Sequence, residues 1–100
     1  MGIFEFFGSK NKKIAAFKSR GAIVLDVRTK QEYDQGAIPN SVHIPLDILP
    51  TQISEIKNWG TPVITCCEKG GRSEMAMNLL HANGIEVING GGWVSLLKKL

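Results

Sequence analysis

The chain has 100 residues, 43% of them hydrophobic, and a formal net charge of +3. That length suits one compact domain and not two, and the apolar share is ordinary for a soluble globular chain. Most of the excess charge is carried by Lys10, Lys12, Lys13, Lys18, Lys98 and Lys99 near the ends; no basic stripe is interleaved with aromatics, so these lysines read as a solvated face and not as a nucleic-acid surface.

The opening MGIFEFFGSK is apolar but does not read as a signal peptide. It has no basic n-region, Glu5 interrupts the apolar run, and no small-residue cleavage site follows. Phe6 stands where a myristoylation signal needs Ser or Thr. No stretch approaches the length of a membrane span. A cytoplasmic location and no membrane partner are therefore expected. Residues 1–9 read as an apolar extension of one domain spanning 1–100, with Ile3, Phe4, Phe6 and Phe7 packing on the domain or on a neighbour.

Residues 10–20 predict a helix with Ile14 and Phe17 on one side and Gly21 as its stop. AIVLDV at 22–27 is a short apolar run suited to a strand buried on both faces. Thr29-Lys-Gln-Glu32 is a capping-box pattern opening a brief helix that ends at Gly36. SVHIP at 41–45 predicts a second strand and TQISEIKNW at 51–59 a helix, with Ile53, Ile56 and Trp59 inward. PVITC at 62–66 predicts a third strand. Residues 73–83 predict a helix with Ala76, Leu79 and Leu80 inward, followed by Gly84 just beyond its end. A fourth strand is expected over 85–88, a turn at Gly90–Gly92, and a last helix from Trp93. Strands alternating with helices define an α/β domain with a parallel sheet covered on both faces. Ligands of such sheets lie beyond the carboxyl ends of the strands, so the glycine loop after PVITC is where chemistry is expected.

That loop reads TCCEKGGRS over 65–73. The adjacent Cys66 and Cys67 make no disulfide framework, because a vicinal bridge is strained. No paired C-x-x-C knuckles exist, so no metal site is expected. Reduced cytosolic thiols suit a chemical role instead. Cys67 falls between a strand end and a helix opening near Ser73, where unpaired N–H groups and the helix dipole lower a thiol's pKa. Gly70 and Gly71 let the chain curl with its N–H groups inward. Arg72 adds a fixed positive charge, and Lys69 is either a donor-selecting charge or a solvated loop residue.

The combination of DVRTKQEY at 26–33, GAIPNS at 36–41, CEKGGRS at 67–73 and GGW at 91–93 resembles a single-domain rhodanese over roughly residues 10–100. The resemblance implies a rhodanese-like fold: a central, mostly parallel sheet of four to five strands flanked by helices on both faces. It implies an active-site loop of six residues beginning with a nucleophilic cysteine, here Cys67 to Arg72. The implied activity is sulfur transfer. Cys67 takes a sulfane sulfur from a small donor such as thiosulfate or a persulfide, holds it as a persulfide, and passes it to cyanide, a thiol or a partner protein, with no cofactor. The backbone amides of Glu68, Lys69, Gly70, Gly71 and Arg72 would hold the thiolate and the persulfide. The sequence departs from the family where Ala37 replaces a frequent His and Asn40 a frequent Gly. Glu68, next to the nucleophile, places a carboxylate that raises a thiol pKa and repels a dianionic donor.

A second count competes. Cys66, with five residues between it and Arg72, meets the C-x5-R-S spacing of tyrosine phosphatases and of the phosphatases that share the rhodanese fold. That would make the chain a phosphatase or arsenate reductase. Thr65 stands where those families place His, no Asp is evidently placed as a general acid, and Cys66 continues an apolar strand as a small buried residue. A third reading is a binding module that carries a persulfide without turnover. Around the loop, Asp26 and Arg28 either touch substrate or support it, with Asp26 bracing the loop and Arg28 pairing with Glu32. Ser73 supports the loop at the helix start. His43 and His81 read as structural or surface residues. Met75 and Met77 are expected against the sheet or at the pocket rim, and Trp93 at the entrance or in the core.

Overall fold

The structure is a computed structural model that describes residues 3–100, with side chains described from Lys10 onward. The elements run α1 (Ile3–Ser19), β1 (Ile23–Asp26), α2 (Lys30–Asp34), β2 (Val42–His43), a 3-10 turn (Leu49–Gln52), α3 (Ile53–Trp59), β3 (Val63–Cys67), α4 (Gly71–Ala82), β4 (Val87–Gly92) and α5 (Trp93–Leu97). The four strands form one all-parallel sheet in the order β2-β1-β3-β4. The first helix starts earlier than its expected position at residue 10; the packing expected of Ile3, Phe4, Phe6 and Phe7 lies outside the described side chains.

Alternation along the strands sorts side chains to the two faces. Leu25, Val27, Val63 and Cys67 meet Leu49, Ile56, Ala76 and Leu80 on the α3/α4 side. Ile64 and Cys66 meet Ile14, Phe17 and Leu96 on the α1/α5 side. The central strand β3 is buried at all five positions, as a strand covered on both faces must be. β2 is shorter than the expected 41–45. Its pairing with β1 nevertheless runs on, since Ile44 N–H donates to Asp26 O and Leu46 N–H to Val27 O, both at 3.1 Å, on either side of Pro45.

The glycine run is not the expected turn. Gly90–Gly92 belong to β4, which begins at Val87 and not at residue 85. The reason is close approach. A Cβ on Gly90 would stand 2.7 Å from Leu96 Cδ2 and 2.8 Å from Ile64 Cγ2, and one on Gly92 would stand 2.9 Å from Glu68 O. The register also slips, from Thr65 opposite Asn89 to Cys67 opposite Gly92. β4 therefore carries one extra residue there, beside Gly91 at φ +84°. The irregularity lies at the carboxyl end of β3, beside the twin cysteines.

Candidate active site

Cys67 is the last residue of β3, and α4 opens at Gly71 with Gly70 as its N-cap. Only Glu68, Lys69 and Gly70 lie between them. Gly70 has φ +110°, a left-handed geometry that suits glycine and turns the chain back on itself. The turn aims amides at the sulfur: Gly70 N–H donates to Cys67 Sγ at 3.0 Å and Ser73 N–H at 3.3 Å. The Ser73 hydroxyl stands 3.3 Å from the same sulfur.

Two opposing effects set the acidity of Cys67. Burial pushes its thiol pKa up; the Ser73 hydroxyl and the Ser73, Gly70 and Lys69 amides pull it down, and the net direction is below an ordinary cysteine. Cys66 has no such ring. It sits on the other face among Ile14, Phe17 and Leu96, where burial and then the Asp26 carboxylate push its thiol up. Both residues have almost no exposed surface, 0% for Cys66 and 1% for Cys67, so the hydrogen bonds and not exposure separate them.

The loop is fastened from β4. Asn89 Oδ1 accepts from the Ser73 hydroxyl at 2.7 Å and from Gly91 N–H at 2.9 Å, while its Nδ2 donates to Gly70 O at 3.1 Å. Asn89 thus joins the irregular strand, the N-cap and the helix start. Sequence reasoning missed it; an Asn directly ahead of a glycine run is the signal that was available.

The charged neighbours fall into two groups. Arg28 is buried, and its Nε and Nη2 bind the Asp26 carboxylate at 2.8–3.0 Å. Burial alone would lower its pKa, yet Asp26 holds it raised. Arg28 also donates to Gly36 O at 2.7 Å and to Glu32 O at 3.3 Å, lies 4.7 Å from the Trp93 ring centroid, and has Glu68 Oε2 at 3.6 Å. The expected Arg28–Glu32 side-chain pair is therefore replaced. Asp26, two residues back on the same strand end, takes the guanidinium, and only the Glu32 backbone carbonyl meets it. The Glu32 carboxylate instead accepts two bonds from Arg72, at 2.7 and 2.8 Å. Asp26 makes no hydrogen bond to residues 67–72; Arg28 stands between it and Glu68.

Glu32 closes the expected capping box, with Thr29 N–H donating to its Oε1 at 3.0 Å. Its pairing with Arg72, forty residues on, was not legible in that motif. The Arg72 bonds, followed by those from Thr29, hold its pKa at about 2. Lys69 is exposed and Glu68 is half-exposed. His43 Nε2 meets Arg28 O at 2.7 Å and its ring stacks on Tyr33, so it is structural; His81 is exposed at the end of α4. Met75 is 62% exposed and not against the sheet. Trp93 is half-buried, packing on the α1/α5 core while also covering Arg28. Asn40 has φ +67°, which accounts for glycine being frequent at that position in the resembled family. Among the described residues no group of three or more His, Cys, Asp or Glu could hold a metal.

A parallel α/β sheet whose strand β3 ends on a cysteine, with its sulfur accepting from the N-cap and first-turn amides of the following helix, defines the class of domain. The chain belongs to the rhodanese-like domain family, whose model matches residues 10–98. A Bacillus subtilis (strain 168) protein named as a sulfur carrier, YrkF, is 39% identical over 67 residues, covering 66% of this chain and 36% of its own. A sulfurtransferase of Allochromatium vinosum is 34% identical over 62 residues, with 62% and 57% covered. A thiosulfate sulfurtransferase of Pseudomonas syringae pv. syringae, GlpE, is 29% identical over 80 residues, with 80% and 74% covered. The chain thus spans 36% and 57% of the first two relatives. Among solved structures, a rhodanese-related protein from Thermoplasma volcanium superposes with a TM-score of 0.72 at 27% identity, covering 89% of this chain and 88% of that one.

Proposed function

We propose that the chain is a cytoplasmic sulfurtransferase that moves a sulfane sulfur through a persulfide on Cys67. The observation that carries this reading is the pair of backbone N–H donors on one sulfur, at 3.0 and 3.3 Å, with the Ser73 hydroxyl oxygen 3.3 Å away. In the first step the Cys67 thiolate attacks the sulfane sulfur of the donor. A sulfur–sulfur bond forms to Cys67, and the donor's own bond to that sulfur breaks. The leaving group departs with the electron pair, as sulfite from thiosulfate or as a thiolate from an organic persulfide. In the second step an acceptor thiolate or cyanide attacks the outer sulfur, and Cys67 departs as thiolate. The charge on sulfur is conserved through both steps, so a preorganised set of amides serves each of them.

Within this reading Cys67 is the nucleophile. Gly70 and Ser73 supply the donors, Gly71 opens the helix, and Glu68, Lys69 and Arg72 set the charge at the loop. Asp26 and Arg28 support it from the neighbouring strand. The phosphatase alternative on Cys66 is disfavoured by that residue's position in the α1/α5 core. A carrier role is the one that the name of the Bacillus subtilis relative gives to that protein. Assay of sulfane-donor discharge to cyanide separates these readings. The proposal expects turnover that Cys67→Ser abolishes and Cys66→Ser retains. Discharge that survives in Cys67→Ser would end the assignment, and a loaded protein that no small acceptor unloads would establish the carrier.

A further inference from the structure

The charges around Cys67 are almost wholly used up within the protein. Three cations stand near it, Arg28, Lys69 and Arg72, together with three carboxylates, Asp26, Glu32 and Glu68. Arg28 is committed to Asp26 at 2.8 Å and lies near Glu68 at 3.6 Å. Arg72 has both terminal nitrogens on Glu32, at 2.7 and 2.8 Å. Glu32 is itself fixed, because its Oε1 also accepts from Thr29 N–H and from the Thr29 hydroxyl, both at 3.0 Å. Arg72 lies in the first turn of α4, directly before Ser73, whose N–H reaches the Cys67 sulfur at 3.3 Å. A guanidinium free to turn would be a two-pronged anchor for an oxyanion at the loop. Bound to Glu32, it offers no net charge, and a thiolate leaves the six ionic groups plus sulfur with a net charge of about minus one.

Resting on the sulfurtransferase reading, we infer that Glu32 is a specificity-determining residue. By occupying Arg72 it makes the site discriminate against dianionic donors such as thiosulfate, in favour of organic persulfides whose sulfane sulfur carries at most one negative charge. Glu32 touches neither the sulfur nor the loop backbone; it acts through Arg72.

The test measures the rate of persulfide formation on Cys67 in the full chain with two donors, thiosulfate and cysteine persulfide. Glu32→Gln keeps an oxygen to accept from Thr29, so it preserves the helix cap while releasing Arg72. Thiosulfate loading should rise about tenfold, the order expected when one cation beside a dianion is freed. Cysteine persulfide should change little, and the gain should vanish in Glu32→Gln/Arg72→Gln. The unaltered protein gives a check that needs no variant. Its thiosulfate loading should speed up with added salt, since screening weakens repulsion between like charges. No gain from a folded Glu32→Gln, a gain that survives removal of Arg72, or loading that slows with salt would each overturn the role of Glu32. Loading of Cys67 by neither donor would overturn the sulfurtransferase reading itself, and the inference with it.

Discussion

Cys66 and Cys67, neighbours in β3, belong to opposite faces of the sheet and to opposite chemistries. Cys66 lies among the aliphatic side chains under α1 and α5, and burial drives its thiol pKa up. Cys67 meets the first turn of α4, whose donors drive its thiol down in spite of burial. A period-two strand places adjacent residues on opposite sides, so one residue of displacement decides which sulfur can be an anion.

The pH dependence of alkylation should reveal that difference. A thiolate is the reactive species, and a depressed thiol stays ionised as pH falls below the ordinary cysteine range of about 8.5. The Cys67 rate should therefore inflect below that range, and Cys66 should not react across neutral pH in the folded protein. The native thiolate adds stability that is complete above the unfolded thiol's pKa and disappears as pH drops through the folded one. Peptide mapping after a short pulse of iodoacetamide at a series of pH values makes the check. An unshifted Cys67 would count against the donor ring.

Ser73→Ala should move that inflection upward. It removes the hydroxyl 3.3 Å from the sulfur, and with it the bonds to Asn89 Oδ1 and Gly70 O, while keeping the Ser73 N–H donor. Burial continues to oppose ionisation, with less against it. Sulfur loading at neutral pH should slow, and raising the pH should restore much of the rate. A loss that pH does not restore would indicate collapse of the loop.

The fold was legible because its signals are local. The capping box at Thr29–Glu32, the apolar runs of β1 and β3 and the inward faces of α1, α3 and α4 all lie within single elements. Three features were not. Gly90–Gly92 carry the composition of a turn, yet they are small because Leu96, Ile64 and the Glu68 carbonyl approach them from other elements. Arg28 and Glu32, four apart, suggest a helix-type pair. Tertiary partners override that spacing, with Asp26 taking Arg28 and Arg72 taking Glu32. Asn89 gains its role only when β4 is laid beside the loop. Candidate residues at the cysteine loop were visible as a contiguous string; of the residues around it from β1, α2 and β4, Asp26 and Glu32 lay in the DVRTKQEY motif, and Asn89 lay in none.

Asp26→Ala should destabilise the fold by roughly 3–5 kcal/mol, the usual cost of leaving a buried charge unpaired. Arg28 would keep its bonds to the Gly36 and Glu32 carbonyls but lose its only fully buried carboxylate partner among the described residues. Urea unfolding at pH 7 measures the change. A loss within a few tenths of a kcal/mol would show that this pair is dispensable.

Gly90→Ala should lower the unfolding free energy by about 1–3 kcal/mol, as overpacking of a filled core does. Gly92→Ala should do more than destabilise. Its methyl would displace the Glu68 carbonyl, 2.9 Å away, and slow the alkylation of Cys67 as well. If Gly92→Ala left the thiol's reactivity unchanged, β4 would not be what holds the loop in place.

The central claim, that Cys67 alone carries the transferred sulfur, is tested most directly by mapping persulfides on the two cysteines after exposure to a sulfane donor. Mass spectrometry of the peptide containing both, in the unaltered protein and in Cys66→Ser and Cys67→Ser, should show one added sulfur that stays with Cys67 and is removed by cyanide. Sulfur on Cys66, or the same loading after Cys67 is replaced, would contradict the account.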